Sequence, residues 1–250
     1  MCLNYAVCKD SIYVSIFIFV CYFCRMIEIN PQRESTDTAQ YQGRRKKLVK
    51  ELMAQYCYNE NVINAISIVP RHIFVEPGLT HLAYLDKPLP IASGQTISQP
   101  STVALQSHLL GDVKGKKVLE IGTGCGYQTA VLAQMGAVVS SIERQKELCR
   151  IANSNLKKLG YRNITLYWGD GYKGLDANAP FDAILVTCGA EKIPEPLLLQ
   201  LSIGGNMVIP VGENNKEQQM LVITRTGERE FDRAYAGKCS FVPMLEGVVK

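Results

Sequence analysis

The chain has 250 residues, 47% hydrophobic and 20% charged, the balance of an ordinary soluble globular protein long enough to bury a full core, and length alone points to one domain. A formal net charge of +4 is too small to argue for a nucleic-acid partner. Nine cysteines, four of them within the first 24 residues and the rest scattered singly, exclude a disulfide scaffold and fit reduced thiols in the cytosol.

The amino terminus is unusual. Residues 12–23, IYVSIFIFVCYF, are almost wholly apolar but fall well short of the ~20 residues that span a bilayer as a helix. Lys9 precedes the run and no small-x-small cleavage site follows it. Three readings are open: a translated upstream segment with the start at Met26, which is favoured, a membrane anchor or signal, or packed structure. Residues 1–25 are therefore treated as an extension, and 26–250 as a single domain. Cys21 and Cys24 have C-x-x-C spacing but no second pair and no nearby histidine, so no zinc site is expected.

Residues 44–57 and 59–68 carry apolar side chains at helical spacing, and the basic run GRRKKLVK at 43–50 reads as a solvated helix face. PRHIFVEP, with a proline at each end, breaks this helical preface. His72, His81 and His108 lack metal-ligand spacing and read as structural. Next comes SGQTISQPS at 93–101, rich in neutral hydrogen-bonding groups and free of charge: a plain surface loop, or a grip on something small and polar. TVALQSHLL then has helical spacing, with Pro100 or Ser101 placed to open the helix, so the polar loop feeds a helix amino terminus with its unpaired N–H groups.

From Lys117 strands and helices alternate. KVLEI, AVVSSIE, NITLYWGD, FDAILVTCG, NMVIPVG and QQMLVITRT read as strands; YQTAVLAQM, RQKELCRIANSNLKKLG and EPLLLQLSIGG read as helices. The expected fold class is α/β: a doubly wound, mostly parallel sheet with helices on both faces, preceded by the helical preface, with ligands at the carboxyl ends of the strands.

EIGTGCGY, residues 120–127, joins the first of these strands to its helix. Gly122, Gly124 and Gly126 allow a sharp turn and a close ligand approach. The dinucleotide fingerprint needs its third glycine three residues after the second, where Tyr127 stands, so a nicotinamide or flavin cofactor is disfavoured. Glu143 closes the second strand, where a carboxylate accepts from both ribose hydroxyls. Asp170 is expected to end the third strand, placed to receive an amino proton from adenine. A ligand-free turn, a helix cap and a solvated strand end are the plain alternatives, and three strand ends in register weigh against them. A nucleoside cofactor without a pyrophosphate suggests S-adenosylmethionine.

At these residues the chain resembles a known family. EIGTGCG looks like the first motif of class I methyltransferases, a Rossmann-like fold. Together with VPRHIFV, SGQTISQPSTVA, GDGYKG, FDAILVTCGA, IPEPLLLQLSIGGNMVIPVG and FVPMLEG it is similar to the protein-L-isoaspartate (D-aspartate) O-methyltransferases over about residues 38–247. The resemblance implies a repair enzyme that methylates the free α-carboxylate of L-isoaspartyl and D-aspartyl residues in damaged proteins, with S-adenosylmethionine as methyl donor and no metal. It implies Ser98 as the catalytic residue, Thr96, Ile97 and Ser98 as the substrate-binding segment, and Glu120, Gly122, Gly124, Gly126, Glu143, Asp170 and Gly171 as cofactor-binding residues, with Glu120 near the methionine end. Residues 38–110 would then hold the preface and substrate loop, and 111–250 the cofactor-binding core. Cys125 stands where the family often has Ser or Thr; Leu245 stands where some members have Thr, which removes a polar side-chain contact from the carboxyl-terminal segment. A cytoplasmic monomer with damaged proteins and peptides as partners, no nucleic acid and no membrane for the core domain, is the expectation. Two other readings stand beside it: a class I methyltransferase acting on a small molecule or RNA, against which count the lack of a large basic face and of an N/D-P-P-Y motif, and a non-catalytic S-adenosylmethionine-binding module, against which counts the intact Ser98.

Overall fold

The computed structural model describes residues 37–214 and 216–250. The apolar run at 12–23 and the Cys21/Cys24 pair lie outside them. Among the described residues no helix is long and apolar enough to cross a membrane.

Helices α1 (Ala39–Gln55) and α2 (Glu60–Ile68) form the preface. Leu48 and Leu52 of α1, and Val62, Ala65 and Ile66 of α2, fall at helical spacing and are buried in one cluster with the sheet. The basic run leaves Lys46, Lys47 and Lys50 in solvent, but Arg45 departs from the solvated face expected of it. Its guanidinium is 7% exposed, pairs with both oxygens of Asp37 at 3.0 and 2.8 Å, and donates to the Ser67 carbonyl at 2.7 Å. A buried cation is stable only when so partnered. His72 is also structural, stacked on Tyr41 at 3.9 Å and bonded to the Tyr84 hydroxyl at 2.8 Å.

The polar loop is folded. Strands β1 (Leu89–Pro90) and β2 (Thr96–Ile97) pair as a short antiparallel hairpin, with Leu89 opposite Ile97. Helix α3 (Pro100–Leu110) follows directly, and the Ser101 N–H of its first turn donates to the Asp86 carboxylate at 2.8 Å. That amide is therefore already partnered within the chain.

Seven strands form the main sheet: β3 (Lys117–Ile121), β4 (Val138–Glu143), β5 (Ile164–Trp168), β6 (Phe181–Val186), β7 (Leu201–Val211), β8 (Gln218–Arg225) and β9 (Phe231–Cys239), in the order β5-β4-β3-β6-β7-β8-β9. The first five in that order run parallel, and β8 and β9 are antiparallel additions. Helices α4 (Tyr127–Gln134), α5 (Lys146–Lys158) and α6 (Glu195–Gln200) connect them. Alternation along β3 divides the core: Val118 packs with the preface, α4 and α5, while Leu119 and Ile121 pack on the opposite face with Ile184, Leu197 and Met207.

Two elements differ from the sequence reading. EPLLLQLSIGG is helical only to Gln200, and Leu201 begins β7 opposite Phe181. Leu197, Leu198 and Leu201 keep helical spacing, so the pattern is ambiguous. Pairing with β6 decides it, through a register shift at which a Cβ on Gly205 would sit 2.8 Å from the Asp182 carbonyl. Strand β9, FDRAYAGKC, is an edge strand too polar and exposed to announce itself.

Leu119 is fully buried between strands and helix layer. Leu119→Ala is expected to lower unfolding free energy by about 2–5 kcal/mol, read as a lower urea midpoint at unchanged slope.

Candidate active site

The strand order reverses between β3 and β6, and a cleft opens there at the carboxyl edge of the sheet, enclosing about 890 Å³ with its mouth included. Four stretches wall it: Gln95–Ser98 from the hairpin, Gly122–Cys125 from the glycine turn, Glu143–Gln145 at the end of β4, and Val242–Leu245 from the carboxyl-terminal segment. Thr187 and Cys188 close the floor behind β6.

The glycine turn is held by its neighbours. Gly122 has φ +94°, and a Cβ there would lie 2.5 Å from the Thr187 hydroxyl. That hydroxyl donates to the Ile121 and Gly122 carbonyls at 2.9 and 2.6 Å, so strand β6 fits against the turn only where side chain is absent. Gly124, at φ +55°, sends its N–H 2.8 Å to Oε2 of Glu143, and the Gln145 N–H reaches Oε1 of the same carboxylate at 2.8 Å. Glu143 is 6% exposed and on the cleft wall. Each oxygen offers about two lone-pair directions, so one on each remains for a ligand.

Thr96, Ile97, Ser98, Gly122, Gly124, Glu143 and Gly171 thus come together around one cleft. Ser98 is half-buried, and its hydroxyl has no hydrogen-bond partner among the described residues. Three others do not line the cleft. Gly126 stands at the N-cap of α4, packed against Ala152 and Leu156 of α5. Asp170 lies two residues beyond β5, and its oxygens accept from the Tyr172 and Gly247 N–H groups at 3.0 Å each, so it clasps the carboxyl-terminal segment rather than facing the cavity. Glu120 points to the other face of β3 from Ile121 and is fully buried beneath the turn.

Glu120 Oε2 receives the Thr129 hydroxyl at 2.5 Å and the Ser141 hydroxyl at 2.6 Å, and Ser141 is 2.6 Å from Thr123 in the turn. Its Oε1 has no partner among the described residues. Burial, only partly offset by the Ser141 and Thr129 hydrogen bonds and aided by the nearby Glu143 charge, pushes its carboxyl up to about 7. Cys125 and Cys188, both on the cleft wall, are pushed up by burial to about 11 and about 12, so they are neutral thiols at pH 7 rather than nucleophiles.

The carboxyl-terminal segment is named in the sequence through FVPMLEG and Leu245, but the backbone pairing that makes it a wall is not. Gly189 and Met244 donate to the Val242 and Gly189 carbonyls at 2.8 and 2.7 Å, and Val249 pairs by backbone with Arg144 and Lys146 at 2.8 and 3.0 Å. Backbone pairing of this kind leaves no residue-type signature. Thr187 was legible in principle, as a polar residue directly after a buried apolar strand.

Comparison with known proteins agrees with this geometry. Residues 43–249 match the family model described as Protein-L-isoaspartate(D-aspartate) O-methyltransferase (PCMT). The chain is 53% identical over 210 residues to the protein-L-isoaspartate O-methyltransferase of Flavobacterium psychrophilum, covering 84% of this chain and 98% of that one, and 51% identical over the same coverage to that of Christiangramia forsetii. A solved protein-L-isoaspartate O-methyltransferase superposes with TM-score 0.72 at 30% identity, over 80% of this chain and 65% of that chain. A Plasmodium falciparum structure described as a protein-L-isoaspartate O-methyltransferase in complex with S-adenosyl-L-homocysteine superposes with TM-score 0.71 at 26% identity, over 80% of this chain and 98% of its own.

The Glu120 network has a pH consequence. Its folded value of about 7 lies above the ordinary carboxyl value of about 4.5, so the folded state binds the proton more tightly; the stabilisation is complete below about 4.5 and lost as pH rises through about 7. Glu120→Gln removes that titration. Relative to this variant the native chain should lose stability, on the order of a few kcal/mol, across that window, as read from urea midpoints at stepped pH.

Proposed function

The chain belongs to the protein-L-isoaspartate(D-aspartate) O-methyltransferase family, and from that premise we propose that its cleft sets the free α-carboxylate of an L-isoaspartyl or D-aspartyl residue of a damaged protein against a methyl donor. The observation that carries this reading is the pairing of walls: the neutral Thr96–Ser98 segment faces a cleft whose other side holds the Glu143 carboxylate beside the glycine turn.

S-adenosylmethionine, when bound, supplies an activated sulfonium methyl group. The residues present fit it. Glu143 has a free acceptor direction on each oxygen, matching the two hydroxyls of a ribose. A Cβ on Gly124 would meet nothing nearer than Ile91 Cδ1 at 3.6 Å, so the absence of a side chain there leaves room on the cleft side of the turn. Ile142, Leu148 and Met244 provide apolar wall, and Gly171, where a Cβ would collide with Ile121 at 2.5 Å, permits the close packing behind it. Glu143, Gly122 and Gly124 hold the cofactor directly; Glu120, Gly126 and Asp170 act behind the wall, on the turn, α4 and the carboxyl-terminal segment.

The chain's task in the reaction is placement. An α-carboxylate has a reference pKa of ~3.5 and is ionised at pH 7, so no general base is needed. Ser98, with its hydroxyl free, donates to one carboxylate oxygen and leaves the other directed at the methyl group; Thr96 and Ile97 fix the backbone around it. Orientation of this kind lowers the barrier by several kcal/mol. Among the residues lining the cleft Arg144 alone is cationic, which supports a peptide rather than a nucleic acid as acceptor. The five described cysteines are free thiols, which supports action in a reducing compartment, and we take the working unit to be a cytoplasmic monomer with 38–110 supplying the substrate loop and 111–250 the cofactor core.

Two measurements test this reading. Peptides identical except for isoaspartate or aspartate at one position should differ, only the first accepting methyl groups; equal methylation would reject the substrate. Ser98→Ala should bind S-adenosylhomocysteine with nearly native affinity yet lose turnover equivalent to roughly 1–3 kcal/mol, one hydrogen bond to a charged group. Full turnover in that variant would remove Ser98 from the mechanism.

A further inference from the structure

Two segments outside the main sheet flank the cleft: the carboxyl-terminal segment, through Val242–Leu245, and the β1–β2 hairpin, whose tip contributes Gln95. Both rest on the same short stretch, Glu143–Glu147, where β4 passes into α5. The carboxyl-terminal segment is the firmer: four backbone hydrogen bonds anchor Val242, Met244 and Val249, and Asp170 receives the Gly247 amide. The hairpin tip is held lightly. Ile91 lies against Gly124, and the Ser93 hydroxyl crosses to Oε2 of Glu147, in the first turn of α5, at 2.8 Å in an exposed position.

Ser93 is also the one described non-glycine residue with positive φ, at +56°, followed by Gly94 at +65°. A left-handed serine is disfavoured by its Cβ, and glycine would adopt this turn more readily. What serine adds over glycine is the hydroxyl, which is the group that reaches Glu147. Two residues further along the chain, Gln95 begins the cleft wall that ends at Ser98.

We propose that Ser93 and Glu147 form a latch that holds the hairpin tip shut over the cofactor cleft and positions the Gln95–Ser98 wall, so that the tip, not the carboxyl-terminal segment, opens to admit and release the cofactor. This rests on the reading of the cleft as an S-adenosylmethionine site. Glu147 stands four residues after Glu143 along the chain, just past the strand-to-helix junction, so the contact ties the substrate wall to the same stretch that carries the cofactor's carboxylate. Ser93 and Glu147 are positioning residues, since neither lines the cleft.

The test uses the full chain and S-adenosylhomocysteine as probe, with release followed by surface plasmon resonance and peptide KM and kcat by methyl transfer. Ser93→Gly keeps the turn and deletes the hydroxyl; Glu147→Gln weakens the acceptor. Each is expected to speed release and raise the isoaspartyl-peptide KM by about five- to tenfold, tenfold corresponding to about 1.4 kcal/mol, with an unchanged thermal midpoint. The double variant should be no worse than either single one, because both remove the same contact. Ser93→Asn, which tolerates a left-handed backbone and carries a donor, should restore native release and KM. Native release rates in both single variants, additive effects in the double variant, or failure of Asn to rescue would each overturn the latch. No binding of S-adenosylhomocysteine by the native chain would overturn the cofactor reading and the latch with it.

Discussion

One buried carboxylate organises the cleft. Glu143 terminates β4, whose register with β3 sets Ile121 beside Ile142 and so brings the end of one strand level with the glycine turn after the other. From there it accepts the Gly124 amide on one oxygen and the Gln145 amide on the other, joining the turn to the start of α5. Both amides belong to segments that bend away from the sheet and have lost ladder partners, so a nearby acceptor is required. The carboxylate meets that requirement and still presents lone pairs to the cavity. Sheet register places this side chain, and the side chain in turn ties the glycine turn to the start of α5.

Glu120 shows what the same residue type does one residue before the end of β3, on the buried face of the sheet. It sits mid-ladder, opposite Ser141, on the face covered by α4. With two hydroxyl donors on one oxygen and none on the other, its charged form is poorly compensated, and burial drives its carboxyl up to about 7. Glu143 receives backbone amides at the rim of a cleft; Glu120 receives hydroxyls in the interior. The first lines the cleft, and the second is linked to the turn through Ser141 and Thr123.

Much of this was legible in the sequence, for identifiable reasons. The parallel strands are buried on both faces and read as continuous apolar runs, so β3, β4 and β6 stand out, and the glycine spacing of the turn has few other uses. Gly122, Gly124, Glu143 and Gly171 meet at one cleft because they follow or end neighbouring parallel strands, and the separate β1–β2 hairpin brings Thr96–Ser98 to the same place. Asp170, expected at the end of the third strand, stands two residues beyond it, where its carboxylate accepts the Tyr172 and Gly247 amides. Glu120, expected near the cofactor, lies by strand alternation on the opposite face of β3 from Ile121, which lines the cleft. The helix written over 195–205 failed at Leu201, where a tertiary pairing overrode a local spacing. The pairing that fixes the carboxyl-terminal segment as a wall has no signal in residue type, because main-chain hydrogen bonds build it.

On the proposed reading, the distribution of charge around the cleft bears directly on reactivity. A carboxylate that must attack a methyl group loses nucleophilicity if a cation holds it tightly, yet it needs some donor to fix its orientation. Arg144 is the cation that lines the cleft, and its guanidinium is directed at the Glu246 and Gly247 carbonyls, 3.2 and 3.4 Å away, rather than left free. The Ser98 hydroxyl has no partner among the described residues. The chain therefore offers the acceptor a neutral donor and keeps its cation occupied with the carboxyl-terminal segment. Orientation comes without charge neutralisation, and the same arginine that would have blunted the nucleophile instead helps fasten the wall that covers it.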